Sequence, residues 1–188
     1  HLRQGKVLSS NIEHLSVLNW ASSTIDVSMN GLICLEDLKQ KIESEHPSLV
    51  SVMSENNETG IIQPIAEIYE ICKHYNVSFH CDATQHFGRL DTYLDADFLS
   101  LSAHKFGGPK GVGALIVSSE LEPYFRGGMQ ERGSRAGTCN VPAIVAMGAA
   151  AADCRSMSCA QRDDFETFLM KEGAEIIGLG VDRLPNTS

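Results

Sequence analysis

The chain has 188 residues, 43% of them hydrophobic and 21% charged, which suits a globular domain with a real core. Its net charge of −9 argues against broad nucleic-acid or anionic-membrane binding. No apolar run is long enough to span a bilayer, and no signal peptide is visible. The six cysteines are Cys34, Cys72, Cys81, Cys139, Cys154 and Cys159. They include no Cys-x-x-Cys pair, so neither a metal site nor a disulfide framework is indicated. Reduced thiols in a cytoplasm-like compartment are the simplest reading.

Val7-Leu8-Ser9-Ser10 is short and β-like. Asn11 offers an N-cap for a helix beginning near Ile12, with Glu13 in its first turn and His14 partly exposed behind it. Met29-Asn30-Gly31 reads as a turn. Leu35 to Glu43 has helical spacing, with Leu35, Leu38 and Ile42 on one face. Leu49 to Met53 reads as a buried strand that ends in the polar loop Glu55-Asn56-Asn57-Glu58-Thr59-Gly60. Ile65 to Tyr75 is an amphipathic helix started by Pro64. Val77 to Cys81 is a strand with Asp82 at its end, and Phe98 to Leu101 is another. The latter enters Ser102-Ala103-His104-Lys105-Phe106-Gly107-Gly108-Pro109-Lys110-Gly111-Val112-Gly113, which leads into the apolar run Ala114 to Val117. The stretch from Phe125 to Thr138 is too polar and glycine-rich for a core element. Val141 to Cys154 and Phe165 to Ile177 read as helices, and Gly178 to Pro185 as an entry into a second domain.

This alternation predicts an α/β fold with a mostly parallel sheet flanked by helices. In such sheets ligands sit beyond the carboxyl ends of the strands, where the Asn57 loop, Asp82 and Lys105 all fall. A lysine buried at a strand end has a lowered pKa, and the deprotonated amine forms a Schiff base with a carbonyl. An aspartate at a neighbouring strand end complements a pyridinium nitrogen. Asn57 could bond a phenolic oxygen, Ser102, His104, Gln85 and Thr138 could donate to a phosphate, and His14 could stack on a ring. Spacing alone leaves other readings open. Lys105 fits a surface lysine in a solvated loop, and Asp82 fits an N-cap with Thr84. His80 and Cys81 read as core or strand residues, and His46, His74 and His86 as surface or loop histidines. The glycine turn lacks the Gly-Lys-Ser/Thr of a nucleotide-binding loop, and no Gly-x-Gly-x-x-Gly follows a strand.

Four blocks carry a resemblance. Glu55 to Gly60, His80 to Gln85, Ser102 to Gly113 and Gly127 to Thr138, in that order, resemble those of cysteine desulfurases of the NifS/IscS type. These are class V members of the pyridoxal-phosphate fold type I superfamily. Ser10-Asn11-Ile12-Glu13-His14 resembles the family's Glu-His segment. The resemblance implies pyridoxal 5′-phosphate as cofactor, held covalently by Lys105, with His14 stacked on its ring and assisting proton transfer. It implies Asp82 as partner of the pyridine nitrogen and Asn57 and Gln85 as contacts on the phenolic-oxygen side. Ser102 and His104 match phosphate ligands, and Thr138 a phosphate contact supplied across a homodimer.

The implied reaction converts L-cysteine to L-alanine. Persulfide sulfur then passes to an acceptor such as an iron–sulfur scaffold or a tRNA-thiolating protein, in the cytoplasm or, in a eukaryote, the mitochondrion. Another class V enzyme (an aminotransferase or a selenocysteine lyase) and a truncated scaffolding paralogue are the alternatives. The chain begins at His1 and ends at Ser188, and the resemblance makes it part of a longer protein. Residues 1–178 would be an incomplete cofactor domain, and 179–188 the start of a smaller one. The persulfide cysteine and the substrate-binding arginine are expected after Ser188, and a phosphate-binding turn before His1. Glu55 before Asn56 and His86 after Gln85 depart from the family's usual choices.

Overall fold

The computed structural model describes residues 5–188. Six strands form one sheet in the order β2-β1-β3-β4-β5-β6. They are β1 (Val7–Ser10), β2 (Ser23–Ile25), β3 (Leu49–Met53), β4 (Ser78–Asp82), β5 (Phe98–Ser102) and β6 (Gly113–Val117). All pairings are parallel except that of β5 with β6. The chain leaves β1 for β2 on one side and returns to β3 on the other, so the winding direction reverses between β1 and β3. That reversal opens a crevice at the carboxyl ends of these two strands.

The period of two along the strands decides which face is which. Leu8, Val50 and Phe79 follow one another across the register, as do Val52, Cys81 and Leu99 on the same face, whereas Ser9, Ser51, His80 and Phe98 form a row on the other. Helices α2 (Leu35–Glu45) and α3 (Ile65–His74) both pack on the apolar face. Leu38 and Ile42 from α2, and Ile65, Ile68 and Cys72 from α3, meet Leu8, Val50, Val52, Phe79 and Cys81 there. The opposite face carries Ser51, His80, Asp82, Ser100 and Ser102. Ile42 is 2% exposed, so Ile42→Val is expected to cost about 1 kcal/mol in a denaturant titration.

Most expected elements are present within a residue or two. The helix expected from Ile12 begins later, as α1 (Leu15–Leu18), and its N-cap is His14 rather than Asn11. The Ile12 carbonyl accepts from Asn56 Nδ2 at 3.0 Å, so that backbone is drawn across the crevice instead of into a helix. Strand β2 was not expected; three residues carry too little periodicity to be read. Helix α4 (Val141–Asp153) is where Pro142 placed its start. The last helix, α5, spans Ala160–Lys171 rather than Phe165–Ile177. Gly173 has a φ of +88°, a conformation that stops a helix and that glycine adopts without a Cβ clash. The tail then returns to the loop after β3: the Leu184 amide donates to the Gly60 carbonyl at 2.7 Å. Among the described residues no helix is long and apolar enough to cross a membrane.

Candidate active site

Strands β1, β3, β4 and β5 are adjacent and parallel, so their carboxyl ends share one edge of the sheet. His14 follows β1, Asn57 follows β3, Asp82 and Gln85 end β4, and Ser102, His104 and Lys105 end β5. The topology therefore gathers seven of the eight expected residues at one edge. Thr138 is the exception. It lies exposed on a loop whose Gln130 and Ala136 bond within that loop, around a shallow hollow of about 440 Å³.

Hydrogen bonds tie the four strand ends together. Glu13 Oε1 accepts from Ser10 Oγ and from the Met53 amide, each at 2.6 Å, which joins β1 to β3. The Ser54 amide donates to the Asp82 carbonyl at 3.0 Å, which joins β3 to β4. The Ala83 amide donates to the Ser100 carbonyl at 3.0 Å, which joins β4 to β5. The loop after β3 is organised by Asn56, not Asn57. Asn56 Oδ1 accepts from the amides of Glu58 and Thr59, both at 2.9 Å. With Asn56 buried as the loop's brace, Asn57 is turned out and exposed.

The pairing of Asp82 with Thr84 is a turn and not a helix cap, since no helix follows β4. Its Oδ1 accepts the Thr84 amide at 3.0 Å, an Asx turn. Its other oxygen has no protein partner among the described residues. Behind it His80 spans three strands, with Nδ1 2.7 Å from Ser51 Oγ and Nε2 2.7 Å from Ser100 Oγ. Burial lowers the His80 pKa against the opposing pull of Asp82. The ring is thus neutral, one nitrogen donating and the other accepting.

The lysine turn corrects an expectation. Lys105 stands at the end of β5 in a 3₁₀ turn, Ala103–Lys105, but it is exposed, not buried. Ala103 fills the buried position of that turn, so the side chains of His104 and Lys105 point outward. Lys105 Nζ makes no hydrogen bond or ion pair among the described residues. Ser102 Oγ lies 3.0 Å from His104 Nδ1. Gly107 takes a φ of +91°, and a Cβ on Gly108 would stand 3.0 Å from the Ala103 carbonyl oxygen, so the turn needs glycine at both positions.

Two further residues were missed. Glu13 was read as a helix residue, yet it is 5% exposed. Burial, and secondarily the charge of Asp82, push its pKa up to about 7 despite its bonds to Ser10 and Met53. His86 was read as a surface or loop histidine, yet it is buried against Glu55 at 2.6 Å. No local signal marks either, because the partners that bury them, Met53 for Glu13 and Glu55 for His86, lie far along the chain.

A free amine, a half-free carboxylate, a hydroxyl and two imidazoles at one edge of the sheet are groups that could hold an anionic, carbonyl-bearing ligand. The chain belongs to the aminotransferase class-V family, which it matches over residues 3–178. Members of this family are pyridoxal-phosphate dependent. It is 46% identical over 165 residues to "Cysteine desulfurase, mitosomal" of Trachipleistophora hominis, covering 79% of this chain and 37% of that protein. It is 42% identical over 158 residues to "Cysteine desulfurase IscS" of Clostridium botulinum, covering 77% of this chain and 40% of that one. Its fold matches the NifS-like protein from Rickettsia africae with a TM-score of 0.89 at 38% identity, over 97% of this chain and 56% of that one. The chain thus spans roughly two fifths of the curated relatives and just over half of the solved structure.

Proposed function

We propose that this chain carries the cofactor-binding part of a cysteine desulfurase that converts L-cysteine to L-alanine and hands the sulfur to an acceptor. The observation that carries the reading is the convergence of Lys105, Asp82, Ser102, His104, Asn57, Gln85 and His14 on one edge of four adjacent strands. Names of relatives at 46% and 42% identity support the substrate.

The residues fit pyridoxal 5′-phosphate. Bound there, the group would act as an electron sink that labilises bonds at the substrate's α-carbon. Lys105 supplies an unpaired amine to hold its carbonyl carbon. The partnerless Asp82 oxygen would accept from a protonated ring nitrogen, with its other oxygen fixed by the Thr84 amide. Asn57 and Gln85 would face the phenolic oxygen, and Ser102 and His104 the phosphate. His14, held by the Ser16 amide on its Nδ1 at 3.2 Å, would lie against the ring and shuttle a proton. Thr138, on a loop bonded mainly to itself and exposed, suits a phosphate contact given to a second copy, so the working unit is a homodimer. Residues 179–188 would open a second, smaller domain. The acceptor is a sulfur-carrier or iron–sulfur scaffold protein. The compartment is cytoplasmic, or organellar in a eukaryote.

The whole protein incubated with L-cysteine and a reductant is expected to release alanine and sulfide in equal amounts. Amino transfer to a keto acid without sulfide would instead place the protein among other class V enzymes. Cofactor binding with neither product would leave the scaffolding role. Asp82→Asn is expected to keep the fold and weaken cofactor binding roughly tenfold or more, read by absorbance titration, because the ring nitrogen loses its charged partner.

A further inference from the structure

Glu55 sits two residues before, and His86 one residue after, the loop positions the proposed function needs, Asn57 and Gln85. Glu55 precedes Asn56 and Asn57, and His86 follows Gln85. Both are buried, at 1% and 6% exposure. His86 Nδ1 is 2.6 Å from Glu55 Oε1, and His86 Nε2 is 2.7 Å from the Thr92 carbonyl oxygen. Glu55 Oε2 accepts from Ser54 Oγ at 2.6 Å, and Ser54 Oγ also reaches the Asp82 carbonyl at 3.2 Å. Both ring nitrogens face acceptors, so the pair holds one proton more than a neutral imidazole and a carboxylate. The chain Thr92–His86–Glu55–Ser54–Asp82 links the ends of β3 and β4.

We propose that Glu55 and His86 are positioning residues. Their shared proton clips the Asn57 loop to the Gln85 turn, and loss of that proton at alkaline pH loosens both relative to Asp82. This rests on the cofactor reading above. Neither residue touches the reacting atoms in it. They act through their sequence neighbours.

The proton is held by Glu55 and by the Thr92 carbonyl. A cavity of about 220 Å³ beside it is lined by Glu67 from α3 and by Tyr93 and Asp95 from the segment before β5. Cys81 on β4 and Arg89 in the turn after it also feel Glu55. Arg89 Nη1 is turned to the Gln85 carbonyl at 2.9 Å rather than to Glu55. Burial pulls the His86 pKa down, but the bond to Glu55, its charge and the Thr92 carbonyl outweigh this, and the net direction is up. A raised histidine pKa contributes stability that is complete below the unfolded value and lost as pH rises through the folded one. The loosening is therefore alkaline, not acidic.

The test is amide hydrogen exchange on the cofactor-free chain from pH 6 to pH 9.5, corrected for intrinsic rates. Wild type, His86→Gln, Glu55→Gln and the double variant are compared, and each is titrated with pyridoxal phosphate. In wild type, protection of residues 54–60 and 83–86 is expected to fall about tenfold with rising pH. In His86→Gln it should be low and flat with pH, with cofactor affinity reduced by a similar factor. A flat wild-type profile, or loosened loops with unchanged cofactor affinity, overturns the proposal. Should His86→Gln not fold, the double variant, which buries no charge at this point, and the wild-type profile still decide it. If wild type binds no pyridoxal phosphate at any pH, the cofactor reading falls, while the exchange profile still shows whether the clip exists.

Discussion

Lys105→Ala is expected to abolish covalent retention of pyridoxal phosphate without disturbing the fold. Lys105 is exposed and unpaired, so the side chain contributes little to stability, within about 0.5 kcal/mol. Its amine is the only group at the carboxyl edge of β1, β3, β4 and β5 among those named that can form a carbon–nitrogen bond to the cofactor's carbonyl. Borohydride treatment of the wild type followed by peptide mass analysis should place the added mass on Lys105, and Lys110→Ala should leave it there. An unchanged adduct in Lys105→Ala, or an adduct on Lys110 in the wild type, would sink the assignment. Thermal unfolding should be the same for all three cofactor-free chains.

The second large effect concerns Glu13. Burial raises its pKa from the ordinary carboxylate range to about 7, so between roughly pH 4.5 and 7 the folded chain binds a proton that the unfolded chain has released. Stability contributed by a raised carboxylate pKa is complete at low pH and is lost as pH climbs through that window. Glu13→Gln carries no such charge. The stability of the variant relative to wild type should therefore rise between pH 5 and pH 8 by up to about 3 kcal/mol, at 1.4 kcal/mol per pKa unit. Urea unfolding at each pH measures this. A difference that stays constant with pH would mean that Glu13 is ionised and accommodated. The unpartnered, buried Oε2 of Glu13 points the same way, since a carboxylate oxygen left without a donor is costly.

What could be read from the residues was set by periodicity and by turn chemistry. Leu49 to Met53 is apolar but for Ser51 and is followed by a polar loop, and it is a fully buried strand. Pro64 and Pro142 placed helix starts correctly because proline's fixed φ suits the first turn. Lys105 could be placed at a strand end, but not its exposure, which depends on Ala103 taking the inward position of the turn. Asn11 looked like a cap because capping preferences are local. Its competitor, the Asn56 side chain on the Ile12 carbonyl, comes from a loop far along the chain. The Glu55–His86 pair was illegible for the same reason. Each residue alone is a polar side chain in a polar loop, and only the parallel register of β3 with β4 brings them together. Helix α5 misled because Phe165 and Phe168 suggest a buried stripe, yet both are largely exposed.

The way β6 pairs with β5 bears on the order in which the site is built. Ser102 opposes Gly113, so the lysine turn is the connection of an antiparallel hairpin. Hairpins close in microseconds because their contacts are local, whereas parallel pairs must first close long loops. Val50 cannot meet Leu8 until β2 and α2 have been accommodated between them. The Lys105 turn is thus positioned to take shape early. Asp82, Asn57 and Gln85 come to the same edge of the sheet only once the slower parallel strands have found their register.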